Sequence, residues 1–221
     1  MISVIIPLKN GQPTEILTKN LQCFEKFEDV QVIPVVSSKG SRAERINDGI
    51  EQAKHKMILI VHPRSYIGSD AIEWLLKNAN KVCWGGFTHS FDHNHPLLKF
   101  TSWYSNQVRG RRGGIVYLDH CIFYHRGLLD EARPVPEVEI FEDTEFSKKL
   151  KKKMKPIIVN YKSTTSAVRF KENGVVYQSA LNQVLKLAYY LNAPDKVMNK
   201  IYEKGLNLNW DWAPEQGPQT Y

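Results

Sequence analysis

The residues from Gly40 to Arg45 combine the beginning of a predicted helix with two guanidinium groups. Gly40 and Ser41 would expose unpaired backbone N–H groups at the positive end of a helix dipole, where a bound diphosphate is favoured. Arg42 and Arg45 lie about one turn apart and add positive charge, and arginine can bind phosphate in a bidentate way. The alternative is an ordinary surface helix with a solvated basic face, which the local chemistry alone favours.

Two adjacent carboxylates, Glu142 and Asp143, occupy the first turn of another predicted helix, whose buried side would hold Phe146, Leu150 and Met154. A positioned carboxylate can act as a general base that takes a proton from a hydroxyl group. Acidic residues in a first helical turn also complement the helix dipole without any catalytic role. Both interpretations place the two carboxylates at the start of a helix.

Strands and helices that alternate along the chain must position these groups. Five apolar, β-branched runs predict strands at 2–6, 30–36, 57–61, 82–87 and 157–159. Helical patterns lie between the early runs, which is typical of βαβ units and a mostly parallel sheet. Ligands of open α/β sheets bind at the carboxyl ends of the strands, so we expect a cleft there.

Four further helices are predicted from caps and apolar periodicity. The first follows Thr14, and the second begins with a capping box at Ser41. The third runs from Gly174 to Leu191, and Pro194 opens a fourth that ends near Tyr202. The residues expected on the buried faces of the first three are, in chain order, Leu17, Leu21 and Phe24; Ala43, Ile46, Ile50 and Ala53; and Tyr177, Leu181, Val184, Ala188 and Leu191.

Length and composition indicate one domain. A chain of 221 residues, 42% hydrophobic and 24% charged, can bury one core and is short for two. We expect the domain to span residues 1–203, followed by an extended tail at 204–221 that shows no periodicity. There is no secretory signal pattern and no run of about 18 apolar residues, so we expect a cytoplasmic protein without a membrane span.

Charge and cysteine content narrow the classes of partner. The net charge of +7 favours an anionic partner such as a nucleotide diphosphate, an anionic lipid surface or nucleic acid. Cys23, Cys83 and Cys121 are odd in number and widely spaced, which argues against a disulfide framework and a thiolate metal site. No nucleic-acid module is recognisable, so nucleic acid is not an expected partner.

Several stretches in order resemble the family 2 glycosyltransferases of GT-A fold, and particularly a bacterial subgroup of small soluble ones. They are ISVIIPLKN (2–10), GSRAERINDGIEQAKHKMILIVHPRS (40–65), HPLLKFTSWYSNQVRGRRGGIVYLDHCIFYHRG (95–127), FEDTEFSKKLKKKMKP (141–156) and TSAVRFKENG (165–174). The resemblance implies a three-layer α/β/α sandwich with a central mixed, mostly parallel sheet. It also implies inverting transfer of a sugar from a nucleotide-sugar donor to a hydroxyl group of a sugar or lipid-linked acceptor.

The resemblance further implies roles for individual residues. Asp143 matches the position of the catalytic base, with Glu142 in support, and Asp119 and His120 match the acceptor side. Trp103 lies between the cleft-forming segments and could stack on an acceptor sugar, although large aromatic residues more often fill cores. The expected donor contacts are Pro7, Lys9, Ser37, Arg42, Arg45, Asn47, His62 and Arg64.

The chain departs from the family at the metal site. Such enzymes usually hold Mg²⁺ or Mn²⁺ with an Asp-x-Asp motif, which the subgroup reduces to His-Ala-Asp, because a hard cation needs oxygen ligands. Here the matching positions are His62-Pro63-Arg64, and an arginine cannot ligate a cation and would repel one. We therefore assign no metal ligands and do not expect a divalent cation as cofactor.

A second departure concerns nucleotide recognition. The chain passes from the strand at 30–36 through 37–39 directly into Gly40, so about one βα unit of the family pattern, with its base-reading Asp, is absent. Two hypotheses follow. One is a metal-independent transferase in which Arg64, with Arg42, Arg45 and Lys9, replaces the cation. The other is a catalytically silent relative that binds a sugar, a nucleotide or a protein partner.

Two further patterns allow alternatives. Six lysines lie between Lys148 and Lys155 and could bind anionic lipid, which would place the protein at the inner face of the membrane, although a solvated helix face is the commoner explanation. His89, Asp92, His93 and His95 could form a transition-metal site, although such spacing on a loop is common without metal.

Overall fold

The computed structural model describes residues 1–9 and 14–204. The predicted tail therefore lies outside the described residues, apart from Lys204 at the end of the last helix. The strands are β1 (Ile2–Leu8), β2 (Val30–Val36), β3 (Met57–Ile60), β4 (Ser65–Ile67), β5 (Trp84–Phe91), β6 (Ile122–His125) and β7 (Ile157–Thr165). The helices are α1 (Glu15–Phe24), α2 (Arg42–Gln52), α3 (Ser69–Asn78), α4 (Pro96–Tyr104), α5 (Glu142–Lys153), α6 (Val168–Asn173), α7 (Val175–Tyr190) and α8 (Asp195–Lys204).

Irregular helical turns connect some of these elements. A π-helical segment, Ser105–Arg112, continues α4, and 3₁₀ turns span Leu118–His120 and Arg126–Leu128. π-helical turns are rare and occur frequently at functional sites. In the described part of the chain, no helix is both long and apolar enough to cross a membrane.

The seven strands form one sheet in the order β2-β1-β3-β6-β5-β7-β4. β1 pairs in parallel with β2 and β3, and β5 pairs in parallel with β7. β6 runs antiparallel to both β3 and β5, and β4 runs antiparallel to β7. Five of the seven strands therefore point the same way, which confirms the predicted mixed, mostly parallel sheet.

Helices cover both faces of the sheet, as the alternation of side chains along each strand requires. On β1, Ile2, Val4 and Ile6 face the core that contains α1 and α3, whereas Ile5 faces the core that contains α2 and α5. All seven residues of β1 are buried, which explains why this central parallel strand is apolar on both faces apart from Ser3, whose hydroxyl donates to Gln31. The predicted three-layer α/β/α sandwich is confirmed.

The local signals for the early helices are confirmed. Thr14 caps α1 by accepting a hydrogen bond from the Leu17 backbone N–H. Ser41 and Glu44 form the reciprocal capping box that the sequence predicts for α2. β2 connects directly to α2, as predicted, because only residues 37–41 separate them.

Two predicted helix faces differ from the structure. Met154 lies beyond the end of α5 and is 47% exposed, because the chain turns to extended backbone at this residue. α7 buries Gln178, Leu181 and Leu185 rather than the predicted stripe. Of that stripe, Leu181 is buried and Ala188 half-buried, whereas Tyr177, Val184 and Leu191 are exposed.

The rotation of α7 has a physical cause. Leu181 and Leu185 pack in a small core with Ile140 and Met198, so α7 is seated on α8 and on the segment before α5. This position turns a polar side of α7 towards the sheet edge. The buried face of α7 is therefore not the apolar stripe that the sequence pattern predicts.

Two strands were not predicted. β4 has three residues and β6 has four, so neither gives a clear periodic signal. β6 is inserted antiparallel between β3 and β5, which are distant from it in sequence. Its position depends on tertiary pairing rather than on local pattern.

Candidate active site

A cleft of two adjoining chambers lies at the carboxyl ends of the parallel strands, where it was predicted. The α2 chamber, of about 670 Å³, is lined by the end of β1 and by Gly40, Ser41 and Arg45 at the beginning of α2. The α7 chamber, of about 230 Å³, is lined by the ends of β5 and β7, the π-helical segment and α7. The residues that line both chambers are Arg42, His62, Arg64, Ile140, Arg169 and Tyr202.

Three guanidinium groups from separate segments stand where the chambers meet. Arg42 belongs to the first turn of α2, Arg64 to the connection between β3 and β4, and Arg169 to α6. Arg42 forms an ion pair with Glu142. Neither Arg64 nor Arg169 forms an ion pair with a carboxylate of residues 1–9 or 14–204. Two of the three guanidinium groups at the boundary therefore lack a direct ion-pair partner among the described residues.

Arg169 is oriented by its neighbours. Its guanidinium carbon lies 4.1 Å from the centroid of the Tyr202 ring, a cation–π contact. Its Nη1 is buried and, within the described residues, has no hydrogen-bond partner. Buried polar atoms are rarely left unsatisfied, so this nitrogen points to a ligand or a water at the boundary.

His62 is a neutral group at the same boundary. Its Nδ1 accepts a hydrogen bond from the Arg64 backbone N–H at 3.1 Å and lies 4.0 Å from Asp119 Oδ1. Burial lowers the pKa of His62 to about 3; Asp119 opposes this shift, while Arg42 and Arg64 add to it. His62 therefore contributes no positive charge at neutral pH.

Asp119 lies in the 3₁₀ turn at the floor of the α7 chamber, with a side chain that is 39% exposed. Ser163 Oγ holds the turn by donating to the Asp119 carbonyl at 2.7 Å. Burial would raise the pKa of the Asp119 carboxyl, but His62, His89 and the guanidinium groups of Arg64 and Arg42 hold it below its ordinary value. Asp119 is an anion at neutral pH.

Asp143 faces the α7 chamber from the first turn of α5. Its Oδ2 accepts a hydrogen bond from the Leu118 backbone N–H at 3.0 Å. Burial and the adjacent Glu142 carboxylate raise the pKa of Asp143 to about 6, against the opposing effect of Arg42. At neutral pH Asp143 is mostly ionised and is a stronger base than an ordinary aspartate.

The backbone just before these carboxylates is strained. Phe141 adopts a left-handed conformation with φ of 64°, which costs a non-glycine residue on the order of 1 kcal/mol or more. Its ring packs on Tyr189 of α7 with the centroids 4.8 Å apart. This contact fixes the entry into α5 and so helps to aim Asp143 into the cleft.

Six of the predicted donor residues line the cleft: Pro7, Lys9, Arg42, Arg45, His62 and Arg64. Arg45 is buried, and its Nη1 donates to the carbonyl oxygens of Ser37, Lys39 and Gly40. Arg45 therefore holds the loop after β2 in place, in addition to lining the α2 chamber.

Ser37 and Asn47 do not line either chamber, contrary to the expectation that they contact the donor. Ser37 Oγ forms hydrogen bonds within its own loop, to the backbone of Lys39. Asn47 is fully buried, donates to the Val135 carbonyl and Glu137, and accepts from the Val135 N–H. Its amide fastens the segment before α5 to α2.

On the acceptor side, the structure brings only Asp119 to the cleft. His120 is fully buried and forms hydrogen bonds with Ser105 Oγ and the Phe87 carbonyl, both at 2.9 Å. Trp103 is 53% exposed and lies outside the lining, because α4 turns Tyr104 towards the α7 chamber instead. The expected acceptor contacts of His120 and Trp103 are therefore not formed by this geometry.

The α7 chamber contains basic groups that were not predicted as site residues. Arg109 lies between the rings of Tyr104 and Tyr117, at 5.4 and 5.0 Å from their centroids, and donates to the Tyr117 hydroxyl. Lys186 lines the chamber from α7. In the sequence, Arg109 is one of three arginines between positions 109 and 112, with no signal of a binding site. The direction of Lys186 depends on how α7 packs on its neighbours.

The charges of the cleft bear on whether it could hold a hard divalent cation. Among residues 1–9 and 14–204, no group of three or more His, Cys, Asp or Glu side chains is arranged to hold a metal ion. Asp119 lies beside His62, and the guanidinium groups of Arg42 and Arg64 interact with both side chains. This positive charge disfavours Mg²⁺ and Mn²⁺, and the absence of a divalent cofactor stays a prediction.

The alternative metal site at residues 89–95 is not formed in the described residues either. His89 is buried in the α7 chamber, and Asp92 accepts from the Ala167 N–H and lies 3.8 Å from Lys171 Nζ. His93 and His95 are stacked with centroids 6.4 Å apart. The fold gives these four side chains different neighbours.

The lysine run of α5 is partly used within the protein. Lys148 contacts Glu145 and Tyr189, and Lys149 pairs with Glu131. Lys151 Nζ donates to the Gly113 carbonyl at 2.9 Å, so the lysine run packs against the segment that follows Arg112. Contact with an anionic membrane stays a prediction.

No protein-family model matches the sequence, and no curated protein matches it significantly. Among solved structures, S. aureus TarS 1–349 in complex with UDP is similar with a TM-score of 0.45 and 17% identity, over 75% of this chain and 60% of that chain. A TarS complex with UDP-GlcNAc gives 0.45 and 16%, over 75% and 58%. A 4-diphosphocytidyl-2C-methyl-D-erythritol synthase gives 0.44 and 18%, over 72% and 88%. This chain thus spans about three fifths of the TarS chains, and similarity at this level does not assign a function.

Proposed function

We propose that this chain is a GT-A-type glycosyltransferase that moves a sugar from a nucleotide-sugar donor to an acceptor hydroxyl, with inversion and without a divalent cation. The observation that carries the proposal is that Asp143, a base with a raised pKa, faces the same cleft as Arg42, Arg64 and Arg169. A carboxylate base and a cationic boundary are the two groups that such a transfer requires.

The α2 chamber supports the donor assignment by its size and its lining. Its volume of about 670 Å³ falls within the range of small-molecule sites. The capped beginning of α2 and Arg42 stand on one wall, and Lys9 lies at the end of β1 on another. A nucleotide placed here would direct its diphosphate to the boundary, where Arg64 and Arg169 lack a carboxylate partner among the described residues.

The proposed reaction is a single displacement. The acceptor oxygen attacks the anomeric carbon and gives its proton to Asp143. The bond from that carbon to the diphosphate oxygen breaks, and its electron pair stays on the diphosphate. Fixed guanidinium groups stabilise this developing charge, as a metal ion does in related chemistry, because they are oriented before the reaction begins.

Asp119 has a different role in this proposal. Its pKa is lowered and it lies close to Arg64 and Arg42, so it is a poor base and balances part of the boundary charge. Two carboxylates with pKa values displaced in opposite directions suit different tasks. The proton therefore goes to Asp143.

The alternative function, a silent relative that binds a nucleotide, a sugar or a protein, has one observation in its favour. Ser37 and Asn47, two of the expected donor contacts, are used within the protein. Donor binding must therefore be measured directly.

The test is a calorimetric titration with uridine, guanosine and thymidine diphosphates, each with EDTA and again with Mn²⁺. We expect one diphosphate to bind equally well under both conditions and to bind at least about tenfold more weakly to Arg64→Ala. Arg111→Ala, at an exposed arginine outside the cleft lining, is the matched control. Binding that needs Mn²⁺ would contradict metal independence, and no binding of any diphosphate would favour the silent relative.

A further inference from the structure

The α7 chamber keeps basic groups beyond those that the proposed donor needs. Arg109 and Lys186 line this chamber but not the α2 chamber. Neither forms an ion pair with a carboxylate of residues 1–9 or 14–204. Like charges held together in a partly desolvated cleft repel each other, so an anion bound between them would stabilise the arrangement.

Arg109 is held in a fixed orientation. The rings of Tyr104 and Tyr117 lie on it, and its Nη1 donates to the Tyr117 hydroxyl. A guanidinium that is ordered in advance loses less side-chain entropy when it binds a planar anion. Arg109 is therefore suited to recognition rather than to general solvation.

The surroundings of Lys186 disfavour the charged form of its ammonium group. Burial and the nearby Arg109 lower its pKa to about 8, and Asp143 only partly opposes this effect. Most of the group is still protonated at neutral pH. An anion bound between Arg109 and Lys186 would relieve the repulsion that lowers the pKa.

Polar groups beside these two cations suit a carbohydrate. Gln178, Asn182 and Lys186 follow one another at intervals of four residues, and all three line the α7 chamber from the same side of α7. His89, which is 4% exposed, also lines this chamber, and neither of its ring nitrogens has a hydrogen-bond partner in the part of the chain that the structure describes. A buried imidazole without partners indicates a polar ligand.

We propose that the acceptor bound in the α7 chamber is a saccharide that carries a negatively charged group, a phosphate or a carboxylate, held between Arg109 and Lys186. Calling this ligand the acceptor rests on the proposed function, but binding of an anion at this site can be measured without any sugar transfer. Asn182 and His89 then contact hydroxyl groups of the same saccharide. Gln178 positions Asn182, because its amide accepts from Asn173 and donates to the Asn182 side-chain oxygen.

The test compares three sugars of similar shape by calorimetry: glucose 6-phosphate, glucuronate and glucose. Each is titrated without nucleotide and again with a saturating amount of the diphosphate that the protein binds. We expect one of the two charged sugars to bind and glucose to bind at least about tenfold more weakly. Which charged sugar binds distinguishes a phosphate site from a carboxylate site. Glucose that binds as tightly as both charged sugars, or no binding of either charged sugar, overturns the proposal.

Variants locate the anion. Arg109→Gln and Lys186→Gln should each weaken binding of the charged sugar about tenfold or more. Arg111→Gln and Lys152→Gln remove exposed cations outside the cleft lining and should leave it unchanged. Circular dichroism checks that each variant is folded. Folded Arg109→Gln and Lys186→Gln proteins that bind like the wild type would place the anion elsewhere and overturn the proposal.

The two proposals fail in different ways. If uridine, guanosine and thymidine diphosphates all fail to bind, but a charged sugar binds and depends on Arg109 and Lys186, the transferase function is wrong and the anion site stands. If a diphosphate binds and the charged sugars do not, the donor site stands and the anionic acceptor is wrong.

Discussion

Arg42 and Glu142 form an ion pair that joins the first turns of α2 and α5, across 100 positions of sequence. The Glu142 side chain is 1% exposed, whereas that of Arg42 is 30% exposed. The pair connects the end of α2 that lines the α2 chamber to the helix that carries Asp143. The two partners therefore differ in how well water could solvate the charge that remains if the other partner were removed.

Arg42→Gln should lower the free energy of unfolding by about 3 kcal/mol, because it leaves Glu142 buried without a counter-charge. Glu142→Gln should cost less, about 1 kcal/mol, because Arg42 can still reach water. Denaturant unfolding of both variants measures the difference. Lys19→Gln, which breaks the exposed pair with Glu15, is the control and should have no measurable effect. Equal losses in the two main variants would contradict the asymmetry.

Asp143→Asn should reduce the transfer rate by about 10² to 10⁴ with little change in the affinity for the nucleoside diphosphate. The amide keeps the size of the carboxyl but cannot take the proton. Steady-state rates and a calorimetric titration on the same preparation measure both quantities. An active Asp143→Asn protein would remove the base role.

The same substitution should stabilise the protein at pH 7. The folded-state pKa of Asp143, about 6, is above its ordinary value of 3.8. As the pH rises from about 3.8 to 6, the unfolded state loses this proton before the folded state does, so the folded state loses stability over this range and the loss is complete above pH 6. Asp143→Asn removes that cost, which is about 3 kcal/mol for a shift of this size. The gain should disappear below about pH 3, where wild-type Asp143 is protonated in both states. Unfolding curves at pH 3 and 7 should therefore differ in this gain, and a constant gain would contradict the raised pKa.

The pH dependence of kcat/KM should have two limbs with a charged acceptor. The rate should rise through about pH 6 as Asp143, which faces Glu142, Arg42 and Asp119, loses its proton. It should fall above about pH 8 as Lys186, which faces Arg109 and Asp143, loses its charge. Lys186→Arg should keep the acid limb and abolish the alkaline limb, because arginine stays protonated. An unchanged alkaline limb in that variant would assign it to another group.

Arg45→Met should lower the free energy of unfolding by about 2 kcal/mol, because three carbonyl oxygens of the 37–40 loop lose their donor. Diphosphate binding should weaken as well, since this loop borders the α2 chamber. Thermal unfolding and calorimetry measure the two effects. A loss of binding without a loss of stability would instead indicate direct contact between Arg45 and the ligand.

The sequence predicted those parts of the fold that depend on local signals. The capping box at Ser41 and the apolar run predicted as a strand at 2–6 are properties of short segments; the capping box is present, and the strand extends to Leu8. The predicted position of Asp143 in a first helical turn is also a local property, and the structure confirms that position. The cleft was placed correctly because sheet topology constrains where open edges lie.

The sequence could not predict what tertiary packing decides. Asn47 has the polarity of a binding residue, and only its contact with Val135 shows that its amide is used within the protein. Lys186 reaches the cleft because α7 is seated by Leu181 and Leu185 on α8, far from any local motif. Arg109 reaches it through a π-helical turn, a backbone shape that periodicity analysis does not detect.

Tyr202, in the last helix, stacks on Arg169 and lines both chambers. For protein production this sets a practical boundary. A shortened polypeptide that stops after α7 would keep the whole sheet and every residue proposed for proton transfer, yet it would lack one wall of the cleft and the ring that orients Arg169. If the proposed function is right, such a fragment would lose activity although Asp143 is still present.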